Sequence, residues 1–146
     1  MNHQEIEALI KGFEDGTWPA AEWTHHCHIY MALWYLSKMP LAKASFQIKE
    51  GIRQYNVSQG GENTETSGYH ETISEFYIRI LQYYIEQTDF AAADRHWIKL
   101  KDQPFMDKDF PFRFYSKDHL MNPEARAFWQ VPDLLPITAY ENTLQA

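Results

Sequence analysis

Cysteine occurs once in the 146 residues, at Cys27, so no disulfide can form within the chain and a reducing, cytoplasmic compartment is expected. Positive charge is scarce as well: 13 basic residues against 20 acidic ones give a formal net charge of −7. No basic run offsets that balance, which argues against nucleic acid and anionic membrane surfaces as partners. Long apolar runs are missing. The longest, Ile29 to Leu36, contains Tyr30, Trp34 and Tyr35 and falls well short of the roughly 20 residues a membrane span requires. The opening MNHQEIEALIKGFEDG lacks the cationic start and apolar block of a signal peptide. There is no GxSxG, P-loop, GxGxxG or CxxC, so no nucleotide cofactor is predicted and serine hydrolases lose their usual signature. Strand patterns are nearly absent. Only FPFRFYS alternates, and Pro111 within it counts against a strand.

What the chain does have is bulk. Hydrophobic residues make up 45% and aromatics 16%, enough for both a core and a pocket wall. The length suits one domain, residues 1–146, burying roughly two thirds of the surface its unfolded form exposes.

Helical periodicity organises most of it. Ile6, Leu9, Ile10 and Phe13 mark a first helix over about Asn2 to Glu14, closed by Gly16 and Pro19. A second starts at Pro19 or at Thr24 and runs to about Met39, before Pro40. A third carries Leu41, Ala44, Ile48, Ile52 and Tyr55 past an internal Gly51, then gives way to a polar loop of about ten residues, SQGGENTETSG. The fourth bears Ile73, Phe76, Tyr77, Ile80, Leu81 and Tyr84, with His70 extending the stripe one turn earlier. DFAAADRHWIKLKDQ reads as a fifth and NPEARAFWQ as a short sixth, capped by Asn122 with Pro123 in first position. VPDLLPITAYENTLQA reads as an extended tail. The expectation is an all-α single-domain bundle of five to six helices.

Two helix starts carry histidine. EWTHHCHIYMALWYL places His25 and His28 at i, i+3 on the face that continues into Ile29, Ala32 and Leu36. Such a pair can share one divalent transition metal, whereas His26 lies about 100° away. YHET supplies His70 on the apolar face of the fourth helix, with Glu71 beside it as ligand or as acceptor from a ligand histidine. The leading expectation joins His25, His28 and His70, with a carboxylate from Glu71 or Glu22, around zinc, iron(II) or nickel(II). The alternatives are a metal-free polar pocket and histidines that only satisfy helix ends. Protonated histidine is repelled by the positive end of a helix, so three at one helix start are a poor choice for stability unless ligation or hydrogen bonding keeps them neutral, which counts against a purely structural role.

Tyr69 is a candidate proton donor. Arg53, Arg79 and Arg126 lie nearest to apolar positions, and Arg53 and Arg126 are the candidates for holding an anionic substrate. Cys27 points away from the His25 face and reads as a buried, inert thiol. His3, His96 and His119 lack partners in the sequence and read as surface residues.

The segments HHCHIYMALWYL, YHETI, YSKDHLMNPEARAFW and PDLLPI together resemble a family of small uncharacterised bacterial all-helical proteins. In that family an HxxH helix start precedes a YHET segment and a C-terminal PEAR and PDLxPL motif. The resemblance spans about Trp23 to Ile137. It matches His25 and His28, then Tyr69 to Thr72, then Pro123 to Arg126 and Pro132 to Leu134, while His26 and Cys27 stand where the family varies. The resemblance implies a site at His25, His28, His70 and Glu71 and no named reaction.

Three functions remain open. The first is a metal-binding protein acting on a small organic molecule, with Glu71 or Tyr69 as the acid/base partner. The second is a metal-free acid/base enzyme or small-ligand-binding protein using His70 and Glu71. The third is a non-catalytic interaction module, or a homodimer, with exposed Trp or Tyr.

Overall fold

The computed structural model describes residues 1–88, 90, 97 and 99–144. It is all-α: among the described residues seven α-helices and four short 3-10 turns follow one another, with no strand. No described helix is long and apolar enough to cross a membrane.

Helix α1 (His3–Asp15) starts at a capping box, Asn2 accepting from the Glu5 amide while the Glu5 carboxylate accepts from the Asn2 amide. It ends at Gly16, whose φ of 71° is left-handed. Helix α2 (His25–Lys38) begins at Thr24, which accepts from the Cys27 amide; Pro19 instead precedes a 3-10 turn at Ala20–Glu22. Positions 29 to 33 of α2 are all buried, so its middle has no solvent face. Helix α3 (Leu41–Ser58) buries only Ala44, Ile48 and Tyr55, and covers α2 from one side. Helix α4 (Glu71–Thr88) packs along α2 and buries Phe76, Ile80 and Leu81 completely. Gly51 sits inside α3 because the Phe13 ring lies against it: a Cβ there would stand 2.6 Å from the ring.

FPFRFYS forms a 3-10 turn, Phe110–Arg113, that turns Phe110 and Phe114 onto Phe76 at centroid distances of 5.8 and 5.1 Å. Two short helices follow, α5 (Lys117–Leu120) and α6 (Pro123–Ala127), the latter capped by Asn122 through the Ala125 amide. The fifth helix expected from the sequence falls largely outside the described residues, as does His96. Trp97 and Leu100 are fully buried.

The extended tail holds only in part. Residues 128–136 lie along α4 and the Phe114 turn, stitched by Leu134 N–H to the Phe114 carbonyl (2.9 Å) and by Ser116 Oγ–H to Asp133 (2.6 Å). Ser116 donors hold the Asp133 carboxyl below its usual range. The chain then forms α7 (Thr138–Leu144), against expectation, with Tyr140 buried beside Phe110. Its apolar residues are few, Ile137, Ala139, Tyr140 and Leu144, too short a stripe to stand out from the sequence, and α4 and Phe110 supply the surface it packs on.

Gly51→Ala is expected to destabilise by about 1–3 kcal/mol, although alanine is the better helix former, because overpacking Phe13 outweighs the propensity gain. Urea denaturation of the two proteins checks this, and a stabilised variant would show that the ring can move aside.

Candidate functional site

The start of α2 faces the first two turns of α4, and α3 closes the third side. Between them lies a cavity of about 320 Å³. His25, His28, Ile29, Met31 and Ala32 of α2 line it, with Ile48 and Ile52 of α3 and Ile73, Ser74, Tyr77 and Ile78 of α4. Among the described residues no Lys, Arg, Asp or Glu faces it.

Both histidines spend one nitrogen on the backbone. His25 Nε2 lies 2.9 Å from the Phe105 carbonyl oxygen, and His28 Nδ1 lies 3.0 Å from that of Thr24. A carbonyl only accepts, so these nitrogens carry the hydrogens. His25 Nδ1 and His28 Nε2 are left as lone-pair acceptors with no protein hydrogen bond among the described residues. Burial holds the His25 imidazole below its ordinary pKa, partly offset by the Phe105 contact. Burial pulls His28 down to about 4, again against its backbone hydrogen bond. Ring contacts fix both: His25 lies 5.2 Å from Tyr77 and His28 4.3 Å from Trp23. The Tyr77 hydroxyl, pushed up by burial, reaches the Asp107 carbonyl at 3.4 Å.

His70 does not join them. It is the residue before α4, and its Nδ1 accepts from the Ile73 amide (3.2 Å) as a helix cap. Its Nε2 donates to the Leu120 carbonyl at 2.9 Å. Both nitrogens are occupied, so His70 has no lone pair left for a metal. Among the described residues no group of three or more His, Cys, Asp and Glu side chains is placed to hold an ion.

Glu71 and Tyr69 also lie outside the cavity. Glu71 Oε1 accepts from the Tyr69 hydroxyl (2.6 Å) and Oε2 from Lys49 (2.8 Å). Lys49 bridges on to Glu75 at 2.7 Å, and Glu75 to Arg79 at 2.8 Å. The result is an α3–α4 seam rather than an acid/base pair facing open space. The arginines expected to hold an anion are engaged as well. Arg53 stacks over Tyr69 at 4.0 Å. Arg126 donates to the Gly68 carbonyl (2.8 Å), pinning the loop that leads into α4. Arg79 covers Trp129 at 4.2 Å.

Glu22 is exposed and offers its backbone carbonyl, not its carboxylate, to Cys27. Cys27 is buried, as expected. His26 is exposed, and His3 pairs with Glu7 at 3.3 Å. His119 does have partners: Nε2 donates to the Val131 carbonyl (2.8 Å), and its ring stacks on Tyr115.

No family model, no curated protein and no solved structure matches the chain. Sequence reasoning missed the other wall residues: helical spacing marked Ile48, Ile52, Ile73 and Tyr77 as core, Met31, Ser74 and Ile78 carried no signal of a site, and only a gap between three helices makes them cavity walls. Among the described residues Trp18, Trp23, Trp34 and Trp129 are partly exposed, and Phe46 and Phe128 are exposed.

Two outcomes follow. The unfolded chain binds protons at histidine near pH 6.5 while folded His28 resists until about 4, so stability falls as pH drops through that window. The loss is about 2–3 kcal/mol by linkage, and His28→Gln should flatten the slope of urea midpoints between pH 7 and 5. His70→Ala should cost about 1–2 kcal/mol, with His70→Asn recovering part through its cap; equal losses would place the His70 contribution at Leu120 instead.

Proposed function

We propose that the protein binds a small, mainly apolar organic molecule in the α2–α3–α4 cavity, with neutral His25 and His28 as its polar contacts. The observation that carries this is the pairing of apolar walls with two unsatisfied imidazole acceptors. Ligand sites are typically apolar clefts with a few convergent polar groups, from about 300 Å³ upward. Binding is favoured over acid/base catalysis because an imidazole with a pKa of about 4 accepts hydrogen bonds but is a weak base at neutral pH. The reading is compatible with membership of the small bacterial family that the chain resembles, and adds a ligand site to it.

Methyl NMR with an uncharged probe such as benzofuran tests the proposal. Saturable shifts are expected at Ile29, Ile48 and Ile73 but not at Ile6 or Ile137, and Ala32→Phe, which fills the cavity, should remove them while leaving the remaining spectrum native-like. Shifts spread evenly over all isoleucines would sink it. Near-stoichiometric zinc, iron or nickel in purified protein, lost in His25→Ala and kept in His70→Ala, would replace it with a metal centre on the two free nitrogens.

A further inference from the structure

The cavity has a definite chemical character. No charged side chain among the described residues faces it, so a carboxylate, phosphate or ammonium entering would lose hydration and meet no side chain of opposite charge. The Phe105 and Thr24 carbonyls fix the tautomer of each imidazole lining it, so the nitrogen that each ring leaves unbonded is an acceptor and not a donor. An acceptor buried against a ligand that offers no hydrogen stays unpaired, which penalises the wrong ligand more than it rewards the right one. The walls include Met31 and the Tyr77 ring, both of which favour aromatic contacts. An apolar cavity of about 150 Å³ holds one benzene ring. This one, at about 320 Å³, has room for two fused rings.

We infer, building on the cavity-binding reading above, that the site selects a neutral two-ring aromatic molecule bearing an N–H or O–H donor, which it directs at His25 Nδ1 or His28 Nε2. Isosteric molecules without the donor, and anions of the same ring system, are disfavoured. The selection is set by the tautomers, and these are fixed by backbone carbonyls rather than by the ligand.

Calorimetric titration of the wild type with indole, benzofuran and indole-2-carboxylate tests the inference. Indole should bind about 5- to 10-fold more tightly than benzofuran, the value of one net hydrogen bond, and the carboxylate should bind least. His25→Phe or His28→Phe, which keeps a ring in place, should bring the indole-to-benzofuran ratio toward one. Because either variant could lose stability with its backbone bond, wild-type ¹⁵N spectra supply a second reading: the unprotonated nitrogen of His25 or His28 should shift with indole and not with benzofuran. Equal affinity for indole and benzofuran, equal nitrogen shifts, or tighter binding of the carboxylate would overturn the donor selection and leave the cavity reading standing. Failure of all three compounds to bind would remove the cavity reading as well.

Discussion

Helix α2 is enclosed on every side through its middle, and the rest of the structure is arranged around that enclosure. Burying its apolar stretch also draws His25 and His28 of its first turn partly out of water, while His26 stays exposed. Charge there is opposed by desolvation and by the positive end of the helix, so both rings stay neutral. Each neutral ring then satisfies one nitrogen on a backbone carbonyl and keeps the other as an acceptor. The chemistry of the cavity therefore follows from the burial of one helix.

The α3–α4 seam has a separate task. Lys49, Glu71, Glu75 and Arg79 form a half-buried chain of ion pairs, with Tyr69 hydrogen-bonded to Glu71 and covered by Arg53. Arg126 and Asn63 hold the loop that enters α4, Asn63 through the Tyr69 amide and the Arg53 carbonyl. These groups hold the entry to α4, and with it the Ile73, Ser74 and Tyr77 wall, against α3. Their polar atoms are spent on one another, which suits positioning better than proton transfer.

Much of the helical framework was legible because it is local. Thr24, and Asn122 with Pro123, mark helix starts through bonds that span only three residues, and Gly16 and Pro40 mark ends through backbone sterics. The candidate site was legible in location more than in membership. His25 and His28 do face the α4 start, but His70 caps that helix and Glu71 turns to Lys49. The capping role of His70 was available in principle, since Ile73 lies three residues on. Its bond to Leu120, like that of His25 to Phe105, crosses 50 and 80 residues respectively, and no local pattern records it. Helix α7 escaped for the related reason that a three-residue stripe needs a neighbour to become a helix.

By itself, then, the sequence determined an all-α chain with two histidine-bearing helix starts, because capping and apolar periodicity act within one or two turns. Tertiary structure alone decided which nitrogens remain free, which carboxylates are spent in ion pairs, and that apolar residues of three helices leave a gap between them. Those outcomes depend on partners brought together by packing, and a hydrogen bond or a void exists only once both of its sides are in place.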